Sequence, residues 1–367
     1  MVKRIKSGIV LCLIIVLTCI TPINAADLLR YDTPSNLVQM GMVGIEDICP
    51  YKLPKVTVAV IDNGIDLNTF ESFFNKSRIS NKSINMITGE VGKGHIEDSD
   101  RMHGTRVASV IAKGTPDNVS LMIIKASDDG EFSNQTICDS ILYAVDNGAD
   151  VINICVAGFI NISRAAMQED KQAMFCFKRA NDLGIPIICS MGNEQHHFTK
   201  DEELVIFPTE VNFTCVLAVG SIANKADKDG LYNLSTFSNT GFFVDYVAIG
   251  ENIKVIYSEE YIDTENNTIR EKGTLPGYGT SFATPAVTAA YANVLTYYLK
   301  DGWLRNMPRT MLRVIRSLNN SCRKDILRDY SEDTYGHGVI DISYYIKQLK
   351  KRSHSNPNRE KGCICGL

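Results

Sequence analysis

Residues 56–66 read VTVAVIDNGID. Val56–Ile61 is almost continuously apolar and β-branched, without the polar alternation of a half-exposed strand. Such a run marks a strand buried on both faces. It stops at Asp62-Asn63-Gly64, a turn sequence. Comparable runs follow at Leu121–Lys125, Val151–Cys155, Ile185–Cys189, Val216–Val219 and Val244–Ile249. Between and after them lie helical patterns at His103–Ala112, Asn134–Asn147, Ala165–Leu183, the residues after Ser281, and Arg309–Leu318. Strands alternating with helices predict an α/β fold with a mostly parallel sheet covered on both faces. In such sheets the working residues lie at the carboxyl ends of strands. No repeat or linker interrupts the pattern. One domain is therefore expected at 55–349, with a short segment at 26–54 before it and a basic, structureless tail at 350–367.

A second stretch, Gly277–Pro285, reads GYGTSFATP. The run Phe282–Leu299 is apolar at helical spacing, which sets Ser281 at or just before a helix N-terminus and Pro285 in the first turn. Backbone N–H groups there lack partners and can hold developing negative charge. Alone, such a stretch is more commonly a plain serine cap.

The chain has 367 residues, 44% hydrophobic and 22% charged, with a net charge of −4. That balance offers no electrostatic footprint for nucleic acid. Residues 1–25 combine Lys3, Arg4 and Lys6 with an apolar stretch Gly8–Ile20 and small residues at Ala25 and Ala26, the pattern of a secretory signal peptide. An uncleaved anchor is the alternative. Cleavage after Ala25 would take the net charge to −7, and no later run is long enough to span a membrane. A secreted or extracytoplasmic monomer, free of the membrane after cleavage, is the expectation. Of 11 cysteines, two leave with the signal. Cys138, Cys155, Cys176, Cys189 and Cys215 sit in apolar runs and read as small buried hydrophobes rather than a disulfide framework.

Three polar residues stand in Gly-rich settings: Asp62 in IDNGID, His103 in MHGTRVA and Ser281 in GTSFATP. Acyl transfer calls for this trio. A serine hydroxyl needs a base, histidine titrates near neutrality, and a carboxylate fixes the histidine tautomer and stabilises the imidazolium. Asn193, in SMGNE after a strand, adds a side-chain donor for an oxyanion. Singly, each is more commonly a turn or helix-end residue. Their joint occurrence is what points to catalysis, and no cofactor or metal is called for.

In these motifs the chain resembles the subtilisin-like serine peptidases, or subtilases, in which the order is Asp, His, Ser. The resemblance spans Val56 to Ile342 and includes Asp150–Asn153 (DVIN), with weaker echoes at Phe237–Gly241 (FSNTG), Asp245 and Tyr335–Asp341. It implies a three-layer α/β sandwich and a peptide or protein substrate bound as an extended strand. It further implies Ser281 as nucleophile, His103 as proton shuttle, Asp62 as its orienter, and Asn193 with the Ser281 N–H as oxyanion donors. Cys155, Val156, Ala157 and Gly158, in place of the usual wall sequence, and Glu194 are implied as substrate-binding residues.

Four departures qualify the match. Asn63 replaces a usual Ser or Thr. The wall at 155–158 is altered. The link Ile111–Leu121 is shorter than in relatives that hold a tight calcium there. Only about thirty residues separate the signal from Val56, too few for the usual folding-assistant propeptide. The leading reading is an exported serine endopeptidase. Alternatives are a dedicated maturation protease for one precursor, and a catalytically silent peptide-binding module. An esterase is disfavoured because the G-x-S-x-G elbow is absent. The acidic stretch 194–203 reads either as a pocket for Arg or Lys, or as solvated surface.

Overall fold

Val56–Asp62 forms strand β1, with only Thr57 short of full burial. The structure, a computed structural model, describes residues 29, 31–98, 102–156, 158–161, 167, 169–202, 204–262 and 267–354. The signal-like residues 1–25, Ala157 and residues 355–367 lie outside that set. β1 joins β2 (Ile84–Asn85), β3 (Val119–Lys125), β4 (Val151–Ile154), β5 (Ile187–Ser190), β6 (Val216–Ile222) and β7 (Val244–Ile249) in one sheet. Its order is β7-β6-β5-β4-β1-β3-β2 and every neighbouring pair is parallel. The continuous apolar runs are thus explained: the central strands β1 and β3 meet helices on both faces of the sheet.

Helices α2 (His103–Lys113) and α5 (Thr280–Lys300) pack together in one layer. Helices α3 (Asn134–Asp146) and α4 (Lys171–Leu183) pack together in the other. Ahead of α2, α1 (Leu67–Phe73) is capped by Asp66, whose side chain accepts from the Thr69 N–H. Beyond α5, α6 (Pro308–Ser321) lies against it, and α7 (Ser343–His354) closes the described chain. α7 runs through His354, so residues 350–354, expected to be structureless, are helical.

α5 is buried nearly all round. It tolerates polar residues because they are satisfied locally. Thr284 and Thr296 return their hydroxyls to the carbonyls of Thr280 and Ala292, and Thr288 donates to Asn153 Oδ1 on β4 at 2.8 Å. The helix starts at Thr280, earlier than its apolar run suggests, so Pro285 falls in the second turn and not the first. Lacking an N–H, it leaves the Ser281 carbonyl without its usual intrahelical donor.

The residues before β1 share this core. Leu37, Met40 and Met42 are fully buried, and the Asn36 amide donates to the Phe282 carbonyl at 2.8 Å. The short turn after α2 is closed by Arg78, which is also buried. Its guanidinium donates to the carbonyls of Ala112 (2.5 Å), Thr115 (3.2 Å) and Val119 (3.1 Å) and to the Thr115 hydroxyl (2.6 Å). Burial draws its pKa down to about 10, partly offset by Asp117.

One element has no counterpart in the sequence reading. β8 (Ile253–Ile262) and β9 (Thr268–Gly277) form a long antiparallel ribbon that leads straight into α5. Among the described residues no helix is long and apolar enough to cross a membrane. The five cysteines expected to be buried are buried and free.

Candidate active site

Three adjacent strands, β5, β4 and β1, end side by side. Their carboxyl ends deliver the loop bearing Asn193, Cys155 and Asp62 to one edge of the sheet. α2 and α5 bring His103 and Ser281 to the same place from above. Asp62, His103, Asn193 and Ser281 all line one cavity of about 590 Å³.

Asp62 is fully buried. Its Oδ1 accepts from the Asn63 N–H at 2.9 Å and from His103 Nδ1 at 2.8 Å, and its Oδ2 lies 3.0 Å from the same nitrogen. A carboxylate there selects the tautomer with the proton on Nδ1, leaving Nε2 as the basic nitrogen. Asn63 carries its own link: its Oδ1 accepts from the Gly104 N–H at 2.9 Å, tying the β1 turn to the start of α2. Gly104 must be glycine, because a Cβ there would lie 2.1 Å from the Gly64 carbonyl oxygen. Met102, just before His103, has φ of +51°, an unusual backbone for such a side chain.

Burial opposes charging the His103 ring. The hydrogen-bonded Asp62 carboxylate and the nearby Asp98 outweigh that, and its pKa stands above the usual histidine value. Asp98 accepts from the Thr105 hydroxyl at 3.0 Å, while its Oδ1 is buried without a partner. Burial, and then the Asp62 charge, raise its pKa to about 8.

Ser281 is the second residue of α5, and its hydroxyl donates to the Cys155 carbonyl at 3.2 Å. Its N–H belongs to the first turn, whose N–H groups have no intrahelical acceptor. The residue before it, Thr280, donates to Asn193 Oδ1 from its N–H (2.8 Å) and its hydroxyl (3.1 Å). With Oδ1 so occupied, the Asn193 Nδ2 group remains as a donor at the cavity.

The loop holding Asn193 is fixed by Asn239, a fully buried residue. Its amide donates to the Met191 carbonyl (2.8 Å) and Glu194 Oε2 (2.6 Å), and its Oδ1 accepts from the N–H groups of Glu194 (3.1 Å) and His196 (2.8 Å). All four hydrogen-bonding positions of one amide are used. Asn239 and Thr280 were not singled out in the sequence. The only signals were the FSNTG echo around the first and the adjacency of the second to Ser281.

Cys155, Val156, Gly158 and Glu194 also line the cavity, while Ala157 lies outside the described residues. The Cys155 thiol takes no obvious part. It is held by the Asn153 amide at 3.2 Å, and burial drives its pKa well up, away from thiolate chemistry. Glu194 is tethered at the cavity by Asn239. Of the other acidic loop residues, Glu202 is paired with His196 at 2.6 Å.

A hydroxyl, an imidazole held by a carboxylate, and an amide donor beside a helix N-terminus can together activate a nucleophile and hold an oxyanion. Comparison with known proteins accords with this. The profile of the subtilase family matches residues 54–338. The chain is 31% identical over 252 residues to the major intracellular serine protease of Bacillus subtilis (strain 168), covering 66% of this chain and 69% of that protein. It is 27% identical over 324 residues to the nisin leader peptide-processing serine protease NisP of Lactococcus lactis subsp. lactis, covering 72% of this chain and 46% of that one. Among solved structures, a lanthipeptide protease superposes with a TM-score of 0.63 at 22% identity, covering 83% of this chain and 90% of that one. The epidermin leader peptide processing protease EpiP of Staphylococcus aureus gives 0.63 at 18% identity, covering 90% and 84%. At those identities the structural likenesses speak for the fold.

Proposed function

The chain belongs to the subtilase family of serine peptidases, and from that premise we propose an exported endopeptidase that cuts peptide bonds through an acyl-enzyme on Ser281. The observation that carries the reading is the pairing of His103 Nδ1 with both Asp62 oxygens, at 2.8 and 3.0 Å, in the cavity that Ser281 and Asn193 share.

A turn about the Ser281 side chain moves its hydroxyl from the Cys155 carbonyl toward His103 Nε2. His103 takes the proton as Oγ attacks the substrate carbonyl, and Asp62 stabilises the imidazolium. Asn193 Nδ2 and the Ser281 N–H receive the oxyanion. The vacated Cys155 carbonyl can then accept a backbone N–H of an extended substrate. His103 returns its proton to the leaving amine, and a water, activated the same way, hydrolyses the ester. Export rests on the signal-like residues 1–25, and residues 55–349 form the catalytic domain in this reading.

A second reading narrows the first: a dedicated maturation protease for one precursor. Its support is the likeness to NisP, whose name records processing of a leader peptide. Labelling with a fluorophosphonate tests the core proposal. Wild-type protein should be labelled at Ser281 and the Ser281→Ala variant should not. Equal labelling of both would place the nucleophile elsewhere. Digestion of a mixed peptide library separates the two readings: many sequences cut, or one.

A further inference from the structure

Two cysteines meet where α3 packs on α4. Cys138 on α3 and Cys176 on α4 are both buried, Cys138 with a little exposure left and Cys176 with none. Both are free thiols, and both donate to one acceptor, the Ala173 carbonyl, at 3.5 and 3.3 Å. They are also within hydrogen-bonding reach of each other. That contact sets their acidities apart. A thiolate on Cys138 accepts from Cys176, which draws the Cys138 pKa below the ordinary thiol value against the effect of burial. Cys176 is driven far up, first by the same contact and then by burial. Elsewhere in the core, burial raises the thiols of Cys155, Cys189 and Cys215. One thiol of the α3–α4 pair is thus suited to attack and the other to hold its proton until needed.

We propose that Cys138 and Cys176 are an oxidisable pair, which a small-molecule or protein disulfide converts to a single disulfide joining α3 to α4. The pairing does not depend on the peptidase reading. Export, as read from residues 1–25, would supply the oxidising setting. The Cys138 thiolate attacks one sulfur of the external disulfide, that bond breaks, and one thiolate leaves. The leaving thiolate takes the proton of Cys176. The Cys176 sulfur then attacks the Cys138 sulfur of the mixed disulfide and expels the second thiolate, which takes up the proton first lost by Cys138. Two protein thiols are oxidised and one external disulfide is reduced to two thiols. The bridge would fasten a wall of the active-site cavity. Ile137, next to Cys138, lines that cavity together with Asn134 and Phe132. The covalent loop from Cys138 to Cys176 also encloses Cys155, Val156 and Gly158, which line the same cavity. Closing a loop of about forty residues restricts the unfolded chain more than the folded one, which favours the folded state.

The test uses full-length Ser281→Ala protein, so that self-digestion cannot intrude. Reduced protein is incubated with oxidised glutathione, its remaining thiols are blocked with iodoacetamide, and its peptides are mapped by mass spectrometry. A linked pair of peptides holding Cys138 and Cys176, lighter by two hydrogens, should appear. Melting temperature should stand roughly 5 °C higher in the oxidised protein than after reduction. Adding Cys138→Ala and Cys176→Ala together should abolish that difference. The order of attack is read from single changes: with Cys176→Ser, glutathione should stay on Cys138, and with Cys138→Ser, Cys176 should stay free. Blocking of both thiols after oxidation overturns the proposal, as does a link from either one to another cysteine such as Cys363 or Cys365. A melting temperature unmoved by reduction overturns it too. The mapping is done with both cysteines in place, so it decides even where a variant fails to fold.

Discussion

Asn193 and Thr280 are joined twice: Asn193 Oδ1 accepts both the N–H (2.8 Å) and the hydroxyl (3.1 Å) of the residue preceding Ser281. The proposed oxyanion donor is therefore braced by the same turn that carries the proposed nucleophile. Asn193→Leu should keep the fold and lower kcat by roughly 10²–10³, the magnitude established for the equivalent loss in subtilisin. Thr280→Ala keeps the N–H contact and removes the hydroxyl, which also accepts from the Gly192 N–H at 3.2 Å, and should cost less, again in kcat more than KM. Steady-state kinetics on one peptide checks both, and an Asn193→Leu protein with unchanged kcat would remove it from the mechanism.

As the proposed base, His103 must be neutral to work. The pKa of His103 is raised: burial lowers it, and the hydrogen-bonded Asp62 carboxylate more than offsets that. The acid limb of kcat/KM should therefore have its midpoint above the ordinary histidine value of about 6.5. A pH–rate profile measures this directly. Full activity at pH 4 would mean that another group acts as base.

Asp98 is raised to about 8, first by burial and then by Asp62. The folded protein thus holds this proton more tightly than the unfolded chain, so stability from the group is lost as pH rises from about 4 toward 8. Asp98→Asn keeps an oxygen for the Thr105 hydroxyl and removes the titration. Its melting temperature should exceed wild type by several degrees at pH 8 and by little at pH 4. A constant difference across that range would refute the assignment.

Arg78 places a permanent cation among the carbonyls of Ala112, Thr115 and Val119. The sequence reading expects no tight calcium at this short link, and the guanidinium satisfies these carbonyls directly. Melting temperature should respond little to a chelator, whereas Arg78→Met, which orphans buried carbonyls, should destabilise by about 3 kcal/mol or more. A large drop on chelation in wild type would reveal a structural ion elsewhere.

Glu194 lines the cavity and is anchored by Asn239 at 2.6 Å. A carboxylate held there favours Arg or Lys before the scissile bond and is left unpaired by an apolar guest. Glu194→Gln and high salt should both reduce that preference. Library profiling decides it: dominant cleavage after Leu or Phe, unaltered in Glu194→Gln, would mark the acidic loop as plain surface.

Local order was legible in the chain itself. Continuous β-branched runs such as Val56–Ile61, alternating with helical patterns, point to a parallel sheet covered on both faces. The Gly-rich contexts of Asp62, His103 and Ser281 were equally readable, because sharp turns demand particular residues. What tertiary structure alone decided involves partners far apart in sequence. Asn239 reaches 45 residues back to Glu194, and Arg78 reaches 41 residues forward to Val119. Neither has a local pattern, since a buried amide or guanidinium is defined by the groups that surround it. The ribbon escaped for a related reason: neither run has a clean strand or helix period, and only the pairing of Ile253–Ile262 with Thr268–Gly277 makes them one antiparallel hairpin.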